Sequence, residues 1–141
     1  MNVVFDMDGT LCNIEHRLHL IQAEKKDWPA FFKLCVNDAP IWPILNLCKE
    51  MMQHHHVEVW SGRSDMVRAE TEQWLATYGI TVPVRMRKNG DHRDDAVVKA
   101  EWLNSLGPED WPSITFDDRQ RVVDMWRRHG IICCQVAPGN F

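Results

Sequence analysis

The chain has 141 residues and a formal net charge of −4, long enough for one domain with its own core and too acidic for general attraction to nucleic acid. Glycine and proline, seven of each, are too few for a fibrous or disordered chain. No apolar stretch is long enough to span a bilayer and nothing ahead of Asp6 resembles a signal peptide, so a cytoplasmic protein with no membrane partner is expected.

The first predicted element is an apolar strand, Val3 to Phe5, which breaks into Asp6-Met-Asp-Gly-Thr10 and so sets two carboxylates at a strand end. Residues 13–43 then read as a small helical insertion. Ile14, Leu18 and Ile21, followed by Phe31, Phe32 and Cys35, predict two short amphipathic helices linked around Asp27-Trp-Pro29, a lid able to fold over a cleft. Ile44 to His54 has helical periodicity. The run His54-His-His56 closes it, and because consecutive side chains do not converge on one ion, a helix-terminal role is expected rather than a metal site.

A second strand, Val57 to Trp60, leads into Ser61-Gly-Arg63, after which Ser64 or Asp65 caps a helix reaching Tyr78. A third strand, Val82 to Met86, precedes a basic stretch, and Asp94 or Asp95 opens a helix that Gly107-Pro108 ends. Ser113 to Phe116 is a fourth strand, followed by Asp117-Asp118 and a helix from Arg119 to His129. The last strand, Ile131 to Val136, holds Cys133-Cys134, whose side chains point to opposite faces. With Cys12, Cys35 and Cys48 they make an odd number of cysteines without zinc-ligand spacing, which favours free, packed thiols. Strands alternating with helices predict an α/β domain over residues 1–141, with a mostly parallel five-stranded sheet flanked by helices and ligands gathered beyond its carboxyl edge.

Four places fall at predicted strand ends or helix starts: Asp6 to Thr10, Ser61 to Arg63, Lys99, and Asp117-Asp118. Carboxylate oxygens suit a small hard cation, and a lysine beside them suits a phosphate. Asp6-Met-Asp-Gly-Thr-Leu11, Ser61-Gly-Arg63 and Lys99 resemble the first three motifs of the haloacid dehalogenase-type phosphohydrolases, whose fold is Rossmann-like. Gly90 to Lys99, Phe116 to Arg128 and Gln135 to Phe141 more narrowly resemble the 3'-phosphatase domains of the phage polynucleotide kinase/phosphatase type.

That resemblance implies roles. Asp6 is the expected nucleophile, forming an aspartyl-phosphate, and Asp8 the acid that protonates the leaving oxygen and then activates water. Magnesium is the implied ion, held by Asp6, the main-chain carbonyl of Asp8, and Asp117 and Asp118; which of the last two binds directly stays open, with the resemblance favouring Asp118. Ser61 and Gly62 are expected on the phosphate, Lys99 on nucleophile and phosphoryl group, and Thr10 either as a donor there or as a cap of its own turn. Asp95 is a candidate to orient Lys99.

Arg63, Arg87, Arg93 and Arg119 are the expected substrate-side cations, with His92 a further local donor, and Trp28, Phe31 and Trp42 are candidates to stack a base. The implied reaction is removal of a 3'-phosphate from a DNA or RNA terminus. Hydrolysis of free nucleotides such as nucleoside 5'-monophosphates, and non-catalytic binding of a phosphate or nucleic-acid end, are the alternatives. No glycine-rich Walker loop is present, so a kinase or ligase activity would come from a separate partner.

Overall fold

The computed structural model describes all residues, Met1–Phe141. Five parallel strands form the central sheet: β1 (Asn2–Phe5), β4 (His56–Ser64), β5 (Val84–Arg87), β6 (Ile114–Asp117) and β7 (Ile132–Gln135), in the order β5-β4-β1-β6-β7. β1 lies in the middle, pairing with β4 from Val3 to Val57 and with β6 from Val3 to Ile114. The chain therefore leaves β1 toward one side of the sheet and later crosses to the other. This reversal opens a crevice at the carboxyl end of β1.

Burial on both faces explains why β1 is apolar without alternation. Val3 and Phe5 join a core with Val57, Val59, Leu45 and Leu75, beneath α3 (Trp42–Met52) and α4 (Arg68–Thr77). Val4 faces the other way, into a core with Trp60, Leu103 and Trp126 under α5 (Asp95–Asn104) and α6 (Gln120–Arg128). The two faces divide the adjacent cysteines as the strand period requires: Cys133 belongs to the second core and Cys134 packs on the first. All five thiols are free.

Several boundaries differ from the sequence expectation for local reasons. β4 runs on past Trp60 through Ser61-Gly-Arg-Ser64. Ser64 does accept a cap bond, from the Met66 N–H at 3.3 Å, but it caps a 3₁₀ turn over Asp65–Val67 rather than α4 itself. β5 starts at Val84 because Pro83 has no N–H to donate, although its carbonyl still takes the Val59 N–H at 3.0 Å. Asp94 caps α5 through the Ala96 N–H at 2.9 Å. His56 opens β4, and the histidine run joins no cluster of metal-ligating groups.

The expected insertion contains α1 (Glu15–Gln22), α2 (Trp28–Lys33) and a 3₁₀ turn over Leu34–Asn37. Its base is closed by an antiparallel pair, β2 (Cys12–Asn13) with β3 (Ala39–Pro40). Two-residue strands are too short for alternation to register, so the sequence does not announce them. Asp27 caps α2 through the Ala30 N–H at 3.1 Å and Pro29 occupies its first turn. The Trp74 indole of α4 donates to the Asp38 carbonyl at 2.9 Å, tying the returning arm to the body of the protein. No helix is long and apolar enough to cross a membrane.

Candidate active site

The Asp6 N–H continues the β1 ladder by donating to the Phe116 carbonyl at 2.9 Å. The Asp6 carboxylate thereby leaves the sheet at its central carboxyl edge. Lys99, in the second turn of α5 and 1% exposed, donates to Asp6 Oδ1 at 2.7 Å and to Asp117 Oδ2 at 2.9 Å. The Thr10 hydroxyl donates to Asp6 Oδ2 at 3.1 Å, so its contact is with the carboxylate and not only with the turn. Asp117, the last residue of β6, accepts the N–H groups of Asp118 and Arg119 on Oδ1, at 3.0 and 3.4 Å. Both oxygens of Asp117 are thus occupied.

Asp118 differs, because no other residue donates a hydrogen bond to its carboxylate. It sits against Gly9, whose φ of +82° makes the tight turn after β1, and a side chain at position 9 would run into the Asp118 carboxylate. Behind Asp118, Gly139 brings the C-terminal segment onto the Asp118–Arg119 backbone, and the Gln120 N–H donates to the Gly139 carbonyl at 2.8 Å.

The carboxylates of Asp6, Asp117 and Asp118 lie within 4.8 Å of one another, with one ammonium among them. Burial, then the charge of Asp117, pushes the Asp6 carboxyl well above its usual range against the pull of Lys99. The same two causes raise Asp118 to about 6. Burial alone would discharge Lys99, but Asp117 and Asp6 outweigh it and hold the ammonium protonated. The cluster is short of positive charge, and its donors are hard oxygens. That is a donor set a small divalent cation fits.

A second network surrounds Asp8. Its Oδ1 accepts from Arg63 Nε and Arg17 Nη2, each at 2.9 Å, while Oδ2 takes part in none of these bonds. Burial would raise the Asp8 carboxyl, yet the charges of Arg63 and Arg17 prevail and lower it to about 2. Behind the arginines lies Asp38, fully buried. It accepts from Arg17 Nε at 2.8 Å and Nη2 at 2.7 Å, from Arg63 Nη2 at 2.8 Å, and from the Cys12 thiol at 3.3 Å. His16 Nε2 lies 2.7 Å from the same carboxylate. Asp8, Cys12 and Asp38 form a compact group, but the two guanidinium groups already supply its counter-charge.

Arg17 and Asp38 escape the sequence reasoning. Arg17 had a signal: it falls on the same helical face as Ile14, Leu18 and Ile21, where a charged residue is out of place unless it is paired. Asp38, in Asn37-Asp-Ala-Pro40, looks like a turn residue and carries no signal.

The other expected site residues fall into different settings. Ser61 is 1% exposed, and its oxygen accepts the Arg63 N–H at 3.1 Å. Arg63 is buried within the Asp8 network and donates also to Thr71 at 3.0 Å. Arg87 bonds the Gly62 carbonyl at 2.8 Å and pairs closely with Asp95. Asp95 also meets Arg119, at 3.3 Å, and makes no hydrogen bond to Lys99, so the lysine is oriented by Asp6 and Asp117 instead. Arg93 is exposed and pinned by Asp91 at 2.8 Å and Glu101 at 2.6 Å. His92 and the arginines at 87, 93 and 119 line a cavity of about 550 Å³, as do Asp6, Asp8 and Asp118.

Comparison with known proteins agrees with this geometry. The family model for the phosphatase domain of polynucleotide kinase PNKP matches residues 1–141. A chain in the Pnkp1/Rnl/Hen1 RNA repair complex is 32% identical with a TM-score of 0.81, over 99% of this chain and 43% of that one. A second structure of a Pnkp1/Rnl/Hen1 complex gives 30% identity and a TM-score of 0.83, over 99% and 46%. This chain therefore spans less than half the length of either. A haloacid dehalogenase-like hydrolase from Streptococcus pneumoniae, 14% identical with a TM-score of 0.61 over 95% of this chain and 83% of its own, shares the fold.

Two outcomes are expected from this site. Asp38→Ala leaves Arg17 and Arg63 buried with only Asp8 between them, and urea denaturation should show a loss of about 3–5 kcal/mol; a loss below about 1 kcal/mol would mean that the pair is not held by Asp38. Without a cation, Asp118 binds its proton more tightly folded than unfolded. Its favourable contribution is thus complete below about pH 4 and disappears as pH rises through about 6. A divalent ion competes with that proton, so the thermal stabilisation given by magnesium chloride should grow from pH 5 to 7, and Asp118→Asn should flatten the trend. Equal stabilisation across that range would contradict the site.

Proposed function

The chain belongs to the family of polynucleotide kinase phosphatase domains, phosphatases of the haloacid dehalogenase type, and from this we propose that it hydrolyses the 3'-phosphate of a DNA or RNA terminus by way of an aspartyl-phosphate on Asp6. One observation carries the reading. The family match runs over residues 1–141, and a buried carboxylate, Asp6, stands just past the carboxyl end of the central strand on a protonated Lys99.

In this reading an Asp6 oxygen attacks phosphorus and the bond to the 3'-oxygen breaks. Lys99 offsets the charge that nucleophile and phosphoryl group bring together. Magnesium supplies Lewis-acid charge for the phosphate oxygens when it is bound. Asp6, the unengaged carboxylate of Asp118 and the main-chain carbonyl of Asp8 would hold it, with Asp117 orienting Lys99 and the following backbone.

Asp8 is the proton carrier. With Oδ1 anchored on two arginines, Oδ2 is left for proton transfer. A carboxyl lowered to about 2 is ionised in the free protein, so the proton for the departing 3'-oxygen arrives on the substrate phosphate, whose second pKa is about 6. Asp8 relays it, and in the second step takes a proton from the water that attacks phosphorus as the bond to the Asp6 oxygen breaks, then gives that proton to solvent as inorganic phosphate leaves. Arg63 and Arg17 act on Asp8, holding it in place, rather than on the phosphate; the substrate-side cations are then Arg87, Arg93 and Arg119 in the cavity lining.

The insertion over residues 13–43 serves as the lid, and it is structurally coupled to chemistry because it contributes Arg17 and Asp38. Similar chains lie in the Pnkp1/Rnl/Hen1 RNA repair complex, which supports a place for phosphate removal beside other end-processing enzymes.

The test is a magnesium-supplemented panel of 3'-phosphorylated and 5'-phosphorylated oligonucleotides with 3'- and 5'-mononucleotides. The 3'-phosphorylated oligonucleotides should turn over fastest, kcat/KM should fall between pH 6 and 8 as the substrate loses its second proton, and Asp6→Asn should reduce phosphate release by at least about 10³-fold. Preference for a 5'-mononucleotide would transfer the activity to free nucleotides. Absence of phosphate release from every substrate would overturn hydrolysis.

A further inference from the structure

One wall of the catalytic cavity is apolar in a way that phosphate chemistry does not require. Trp28, at the start of α2, lines the same cavity as Asp6 and Asp8 and is 42% exposed. Its ring is nonetheless fixed. It stacks on Phe32, with centroids 5.8 Å apart and planes 28° from parallel, and meets Phe31 edge-on at 5.6 Å. Phe31 is itself buried under the Arg17 guanidinium, 4.2 Å from its ring centroid. The platform is thus rigidly connected to the arginine that holds Asp8. Met66, 57% exposed, lines the cavity as well.

The other sequence candidates for stacking do not share this position. Phe31 is 4% exposed. Trp42 packs edge-on against Tyr78 at 5.6 Å and is not part of the cavity wall. Trp28 alone combines a held ring, an exposed face and a place in the cavity.

An indole partly exposed in the same cavity as the carboxylates is a surface that a flat, apolar group can cover. Lys26 Nζ lies 5.9 Å from the Trp28 ring centroid, and Lys88, Arg119 and Arg121 line the same cavity, the two arginines paired with Asp95 and Asp94. An aromatic face next to cations, on a protein of net charge −4, suits one short stretch of single-stranded nucleic acid rather than a long duplex.

Resting on the 3'-phosphatase reading, we propose that Trp28 is a specificity residue that stacks the nucleobase of the terminal nucleotide, the one bearing the phosphate to be removed. Base identity matters little, since every base offers a π-face.

The experiment compares single-stranded 3'-phosphorylated oligonucleotides that end in a normal or an abasic nucleotide, on the wild-type chain, Trp28→Ala and Trp28→Phe. Base removal should raise KM by about tenfold on the wild type, the size of one base–aromatic stack, with kcat nearly unchanged. Trp28→Ala should show the same rise on the normal end and none further on the abasic end, and Trp28→Phe should recover most of the loss.

An equal loss on normal and abasic ends would make Trp28 a structural support of the lid and overturn the proposal, as would no loss on either. Should the wild-type chain leave 3' ends intact but hydrolyse mononucleotides, the 3'-terminus reading fails by itself. The stack is then read from a nucleoside monophosphate against ribose 5-phosphate on the same three proteins, and it is refuted if Trp28→Ala does not erase the difference between them.

Discussion

The ammonium of Lys99, buried between Asp6 and Asp117, is the interaction on which the catalytic end depends. Three carboxylates converge at the carboxyl edge of a parallel sheet, where burial disfavours every one of their charges. Lys99 neutralises part of that charge and orients Asp6 and Asp117 with it. What remains is a deficit of positive charge centred on Asp118, whose carboxylate no other residue occupies. The three carboxylates thus form a donor set compatible with a small divalent cation.

The strand order places this arrangement. Because β1 is central, its end faces the crevice formed where the chain reverses direction across the sheet, and α5 and β6 deliver Lys99 and Asp117 to the same point. The insertion over residues 13–43 reaches the site from the other side. Arg17 from α1 and Asp38 from its returning arm meet Arg63 of β4, and the three together hold Asp8 by one oxygen. Asp6 and Asp8, two residues apart, therefore sit in opposite electrostatic settings: the Asp6 carboxyl is pushed up and the Asp8 carboxyl pulled down. A nucleophilic carboxylate has to be ionised, so a cation beside Asp6 would have to offset the push that burial and Asp117 exert there.

Much of this is legible in the sequence because it rests on short-range rules. Val3 to Phe5 and Val57 to Trp60 read as buried because parallel strands covered on both faces are mostly apolar, and Asp6 and Asp117 stand at the ends that such strands create. The last strand also reads as buried, but β7 lies at the sheet edge with Ile132 66% exposed and only Cys133 buried. The rest depends on contacts between distant segments. Asp38 lies 21 residues from Arg17 and 25 from Arg63, and no local pattern records their meeting. Arg63 shows the same limit in reverse: its motif suggests a cation for substrate, whereas its side chain is buried and engaged with Asp8, Asp38 and Thr71. The hairpin β2–β3 is too short to be periodic, and Pro83 shifts the start of β5 for want of one N–H.

A covalent phosphate on Asp6 is the central claim, and trapping it is the most direct measurement. Excess protein mixed with a 3'-phosphorylated oligonucleotide and magnesium, acid-quenched on the millisecond scale and digested for mass spectrometry, should carry the phosphate on the peptide containing Asp6, and Asp8→Asn should make it accumulate or persist. Rapid release of inorganic phosphate with no labelled peptide at any time, or a label that survives in Asp6→Asn, would contradict the account.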